Sequence, residues 1–399
     1  MNFYSASSDE VNSEKAMKEC LDNALSKISA ADCSLLIVHS SIGHDFDQLL
    51  SEAKRTLPNA EIVGCTGSGV LESEGPKEAM RACAVMACTG GESDFAVSRQ
   101  APFPPEKSFE VGAAVAADLQ KKNSDVHCVL FYPSGLNILP AEALKGIESV
   151  LGPDVTVFGG LSFDNMKFVT SYQFYGTEVI EKGACAVGIA DPSLEAVTAA
   201  NHSFQALEPP FTVTKSTPAL IQELDGKPTW EAVTERVGMP ADTPFSQFVT
   251  VFTGFGRKLP EEYREEYGSD FISFTGIPMV TEEGAVISST PMQEGEKIWL
   301  LKREEKAIFD GAGHLNKVLL QKLNGKELKA VFQADCALRG KITLDRIAKD
   351  EYFSMVHSNL TGGKDVPWLG LYGAGEYAQI NGTNFAHVFT TSLCAIVER

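Results

Sequence analysis

The way apolar strand runs alternate with helical patterns restricts this chain more than any other feature. Between Asn12 and Gly160, β-like runs at Ser34–His39, Glu61–Val63, Arg81–Cys88, Phe95–Arg99, His127–Tyr132 and Thr156–Phe158 are interleaved with helix-period segments. Those helices are expected at Asn12–Ile28, Phe46–Leu57, Phe109–Gln120 and Ala141–Leu151. Short turns join them, as a mixed α/β sheet requires. From Lys167 the pattern changes to successive strands (Phe168–Tyr175, Cys185–Ile189, Ala196–Ser203, Phe211–Lys215), which predicts antiparallel pairing. Beyond Thr217 come a strand and turn at Leu220–Gly226, a helix at Trp230–Val237 and an acidic, solvated excursion at Glu261–Tyr267. Strands follow at Phe271–Ile277, Ala285–Ser288 and Lys297–Leu301, then a helix at Ala307–Leu323, a strand at Ala330–Ala334 and a helix at Leu344–Met355. Leu369–Tyr377 and Asn384–Thr390 close the chain as a strand pair. The expected fold class is mixed α/β (α+β), in two domains of largely antiparallel mixed sheets flanked by helices. A chain of 399 residues exceeds one ordinary core.

Charge narrows the function classes. A net charge of −19 repels nucleic acid and anionic membrane surfaces, and no basic run offsets it. The polar start, Met1 to Glu14, does not read as a signal peptide, and no apolar stretch approaches the roughly 18 residues that span a bilayer. A cytoplasmic protein without membrane insertion is expected. Nine cysteines, scattered in apolar runs and without a Cys-x-x-Cys pair, read as buried small hydrophobes rather than disulfides or a zinc site.

Several residues carry candidate chemistry. Glu376 sits beside Gly375 on an apolar strand, where a charge is costly without a partner. Arg339 is the available partner. The two read either as a clamp for a zwitterion, guanidinium to carboxylate and carboxylate to ammonium, or as an internal pair locking two strands. Cys336, three residues before Arg339, is a reactive thiol if the guanidinium lowers its pKa, or a packed core residue. The corner Gly64-Cys65-Thr66-Gly67-Ser68-Gly69 allows close backbone approach to a ligand or to another segment. It lacks a phosphate-loop lysine, and without a positioned base Cys65 and Thr66 do not make a nucleophile, so no enzyme is expected. Asp164 either joins the pocket or ends the Gly159-Gly160 turn. His387 is the best-placed histidine, with His39 and His357 comparable.

Six motifs in order, covering roughly Cys33 to Val397, resemble the FIST family, a two-part sensory module. They are Val63 through Gly69; Phe158-Gly159-Gly160 with Asp164; Glu223 through Pro228; Cys336 with Arg339; Gly375-Glu376; and Phe385-Ala386-His387. The resemblance implies an N-terminal domain at 30–216 and a C-terminal domain at 217–399. It also implies a small-molecule sensor, proposed for amino acids, that signals to a separate partner such as a histidine kinase. Stand-alone members that this chain resembles are regarded as haem-binding nitric oxide sensors, which would make His387 a metal ligand. A third implied reading is a protein-interaction scaffold without a small ligand. Val388 and Phe389 depart from the family pattern of Asn and Gln before Thr390, which implies either a more apolar pocket wall or a partly abandoned site.

Overall fold

The computed structural model describes residues 1–217, 219–248, 251–276, 280–288, 290–341 and 344–399. It is a mixed α/β protein, and three of its sheets repeat a single plan. In the first, Asn2–Ser8 pairs antiparallel with Cys83–Thr89, which pairs antiparallel with Cys33–Ser41. That strand runs parallel to Glu61–Gly67, which takes the hairpin Tyr172–Tyr175/Glu178–Glu181 on its far side. The second sheet has the same order of directions: Phe95–Gln100, Ala184–Ile189, Cys128–Pro133, Thr156–Gly160 and the hairpin Glu376–Ile380/Thr383–His387. The third has it again: Leu194–Asn201, Thr391–Glu398, Leu328–Cys336, Trp368–Gly373 and the hairpin Val70–Glu72/Gly75–Lys77.

Each unit lends its hairpin to another unit's sheet, so the three are interlocked in a ring. A matching ring of backbone hydrogen bonds closes it: Phe163 N to Thr66 O at 3.0 Å, Ala374 N to Leu161 O at 2.9 Å, and Ser68 N to Tyr372 O at 2.8 Å. The position 216/217, at the expected junction of the halves, lies inside the strand Phe211–Thr217, and the second and third sheets draw strands from both sides of it.

One apolar core, with Ile37, Leu130, Phe332 and Leu371 among its members, receives side chains from all three sheets. Helices cover the outer faces in three separate layers. The helix Phe46–Thr56 shows why these segments are helical: Asp45 caps Gln48 N, and Leu49, Leu50 and Ala53 form one buried stripe. Helices Ser108–Lys122 and Pro140–Leu151 pack closely enough that a Cβ on Gly112 would lie 2.0 Å from Ala143 O. Glycine also lets the parallel strands approach: a Cβ at Gly64 would meet Val38 O at 1.9 Å, and one at Gly159 would meet Phe131 O at 2.1 Å.

The fourth sheet is inserted into the third unit and has no counterpart in the other two. Its order is Lys227–Pro228, Leu220–Leu224, Phe211–Thr217, Lys297–Lys302, Phe252–Lys258 and Phe271–Gly276. It has its own apolar core around Phe211, Phe248, Phe255 and Leu300.

The mixed α/β class is as expected, with local differences. Asn2–Ser8 is a strand despite its polar sequence, because its backbone pairs with Cys83–Thr89. The glycine corner is largely strand, Glu61–Gly67, rather than a turn. Residues 168–171 do not join the strand expected there, which begins at Tyr172. Glu261–Tyr267 is a short helix that buries Tyr267, with Gly268 in the left-handed region (φ 70°) as its stop. Ile277, at the end of one expected strand, lies outside the described residues.

Candidate functional site

The threefold plan gives an internal control for each candidate residue. Register places Gln173 opposite Cys65, Glu376 opposite Gly160 and Val70 opposite Leu371, so these three occupy the same position in the three sheets. Their hairpin partners are Ile180, His387 and Lys77. Gln173 is fully used, accepting from Gly183 N at 2.6 Å and donating to Ser162 Oγ. Val70 has nothing to satisfy. Only the Glu376–His387 copy leaves polar atoms over: Glu376 Oε1 and His387 Nδ1 are buried and have no hydrogen-bond partner among the described residues. Glu376 Oε2 accepts from Thr390 Oγ1 at 2.6 Å and Thr390 N at 3.2 Å. Burial pushes the Glu376 carboxyl well above the usual carboxylate range, with the Thr390 hydrogen bonds opposing it. The fold therefore does not need a carboxyl and an imidazole at this position, since two other copies do without them.

Tyr267 completes this group. Its ring stacks on His387 at 5.8 Å and 19°, and its buried hydroxyl also finds no partner among the described residues. Sequence reading missed it by taking Glu261–Tyr267 as solvated. The available signals were Pro260, the acidic first turn and Gly268, which together mark a helix start and stop. Burial lowers the His387 pKa to about 4, so the ring is neutral. Its Nε2 lies 3.2 Å from Ala378 O, which it can engage only as the N–H donor.

Arg339 does not reach Glu376 as a clamp. Its Nε contacts Asp335 Oδ1 at 3.2 Å and donates to Thr391 Oγ1 at 3.0 Å. The other nitrogens reach His202 O at 2.7 Å, Phe389 O at 3.4 Å and Tyr352 OH at 3.1 Å. The repeat explains why. Ser134 N donates to Gly183 O and Cys336 N to Thr390 O, which puts Asn137 and Arg339 in equivalent places. Asn137 bridges Phe103 O and Lys182 O just as Arg339 bridges His202 O and Phe389 O, and Lys182 and Phe389 both have positive φ (56° and 61°). Arg339 is thus a strut between chain segments, and both expected pairings with Glu376 give way to the pair with Asp335.

The remaining candidates are placed as follows. Cys336 is buried, and burial raises its thiol pKa rather than lowering it; the same holds for Cys65. A reactive thiol is therefore not what this environment makes. Thr66 Oγ1 accepts from Tyr172 N at 3.0 Å, and Gly67 packs against Tyr372 O. Asp164 holds a turn, accepting from the backbone N–H of Lys167, Phe168 and Val169 at 2.9–3.0 Å. Gly159, Gly160 and Gly375 do border the Glu376–His387 hairpin, through strand pairing and close packing on Leu161. His39 is buried with Nδ1 3.1 Å from Gly370 O, and His357 stacks on Phe353 and packs at a tilt against Trp368, both away from this hairpin.

A groove of about 490 Å³ opens beside the hairpin. One wall is the helix Pro140–Leu151, another the edge strand Phe271–Gly276 of the inserted sheet, and the base is Asn384–Val388, including His387. Ser273 also lines it, with a buried Oγ that has no partner among the described residues.

His387 does not fit the role of a haem ligand. His387 Nε2 is committed to Ala378 O, Nδ1 is enclosed, and Tyr267 and Phe385 pack on the ring, so neither nitrogen offers a lone pair to open space. Among the described residues no group of three or more His, Cys, Asp or Glu side chains is placed to hold a metal ion. Among the described residues no helix is long and apolar enough to cross a membrane.

An uncharacterized protein of Mycobacterium tuberculosis is 22% identical over 396 residues, 96% of each chain. An uncharacterized protein of Methanocaldococcus jannaschii is 24% identical over 304 residues, 71% of this chain and 58% of the relative. Among solved structures, a cyanuric acid hydrolase covers all of both chains at 10% identity and a TM-score of 0.37. PurLQS from Thermotoga maritima covers all of this chain and 72% of its own at 8% identity and a TM-score of 0.24. These scores are too low for any argument about activity. The FIST N domain matches residues 34–227 and the FIST C domain residues 231–379, so this chain belongs to the FIST family, whose two domains form a sensory signalling module that binds small ligands.

Proposed function

We propose that this protein is a non-enzymatic, cytoplasmic sensor whose ligand occupies the groove at the Glu376–His387 hairpin and whose state is read by a separate signalling protein such as a histidine kinase. The observation that carries the reading is the polar pair left unsatisfied at this one copy of a position that is satisfied or apolar in the other two. Each buried polar atom without a partner costs roughly 1–3 kcal/mol. Glu376 Oε1, His387 Nδ1 and Tyr267 OH therefore make this hairpin a low-cost element to displace. It belongs in sequence to the third unit but is paired into the second unit's sheet, and the inserted sheet stands beside it. A ligand wedged between these parts changes their packing together, which is what a signal to a partner requires.

Hydrogen exchange measured with and without a bound small molecule tests this. Protection at 376–388 and 271–276 is expected to change while that at 33–41 and 83–89 stays constant. Uniform change over the chain, or none at the hairpin, would overturn the reading.

A further inference from the structure

The groove's lining specifies a ligand class. Lys145, Arg257 and Lys258 line it against a single acidic side chain, Glu148, in a protein whose net charge is −19. Glu148 is already engaged, accepting from Asn384 Nδ2 at 2.9 Å. Arg257 has a long contact to Glu296 at 3.9 Å and Lys258 lies over the Trp299 ring at 5.7 Å, so among the described residues neither cation has a close carboxylate. Lys145 is paired with Glu142 at 2.7 Å, which leaves Arg257 and Lys258 as the two lining cations that focus a positive potential in this concave site. Ser273 adds a buried hydroxyl on the same lining, a donor left over by the fold. The remaining wall is apolar, with Leu144, Leu259, Ile272 and Phe385 facing the space.

We infer that the ligand of this groove is a small monocarboxylate with an apolar or aromatic body and no ammonium group. The carboxylate takes its hydrogen bonds from Arg257, Lys258 and Ser273, and the body packs against Leu144, Ile272 and Phe385. An α-amino acid is disfavoured, because its ammonium would enter beside Arg257 and Lys258, and the acidic side chain on the lining, Glu148, is already engaged. This inference rests on the groove being the sensor's ligand site.

The test is titration calorimetry on the full chain with three probes of one shape: 3-phenylpropanoate, 3-phenylpropanamide and phenylalanine. The acid is expected to bind at least about tenfold more tightly than either of the others, a factor equal to about 1.4 kcal/mol. Arg257→Gln and Lys258→Gln together are expected to erase that preference, and Ala386→Trp, which fills the groove, to abolish binding of all three. Arg257 is 43% exposed at its side chain, so its loss does not threaten folding. If the amide or phenylalanine binds as tightly as the acid, and Ala386→Trp blocks it, the carboxylate class is wrong and the groove stands. If no probe binds, or if Ala386→Trp leaves binding intact, the class and the groove both fall.

Discussion

Arg339 and Asp335 form a buried ion pair, Nε to Oδ1 at 3.2 Å, with both side chains essentially sealed from solvent. The guanidinium is surrounded by acceptors from four other residues, so its contribution is to hold segments together. Removing one member of such a pair leaves an uncompensated buried charge and costs about 3–5 kcal/mol. Arg339→Met is expected to lose that much in urea unfolding. Asn137→Ala, at the equivalent position, loses two neutral hydrogen bonds and is expected to cost about 1–3 kcal/mol.

Glu376→Gln is expected to stabilise the protein increasingly as pH rises. Burial raises the folded-state pKa of Glu376 well above its unfolded value, so the folded chain holds a proton that the unfolded chain releases. The stability tied to that proton is complete below the unfolded pKa and is lost as pH climbs toward the folded one, by about 1.4 kcal/mol per pH unit. Glutamine carries no such linkage. Urea midpoints of wild type and variant at pH 5 and pH 8 check this, and the gain should be larger at pH 8.

The histidines act in the opposite direction. Burial lowers His39, His44, His202 and His387 each to about 4. On acidification the unfolded chain takes up these protons first, near pH 6.5, so stability falls from there toward pH 4. Asp335, raised to about 6 by burial, works against this loss below pH 6. His387→Phe should lower the proton uptake on unfolding at pH 5 by about one, read from the slope of stability against pH.

Gly112→Ala and Gly146→Ala are each expected to lower the melting temperature. The added methyl would sit 2.0 Å from Ala143 O and 2.1 Å from Phe109 O, and forcing the two helices apart costs about 1–3 kcal/mol. Alanine's better helix propensity, worth about 1 kcal/mol, offsets only part of this. Gly313→Ala, where a Cβ meets nothing within 4 Å, is the control expected to be neutral or stabilising.

The sequence by itself determined most of the local elements and the family. Helices such as Phe46–Thr56 and strands such as Cys128–Pro133 follow from apolar period and from caps and turns, which are short-range effects. Glu376 and His387 also stand out in the sequence, because a carboxyl beside glycines on an apolar strand asks for a partner. Only the tertiary structure decided which groups surround them. Arg339 lies 37 residues before Glu376 and is the partner the sequence offers, yet strand pairing gives it to Asp335 and to the backbone of His202 and Phe389. The threefold plan left no obvious sequence period, since equivalent positions hold Gln173, Val70 and Glu376, and pairing between distant strands depends on backbone register rather than residue identity. For the same reason the groove, built from 140–151, 271–276 and 384–388, has no contiguous trace in the chain.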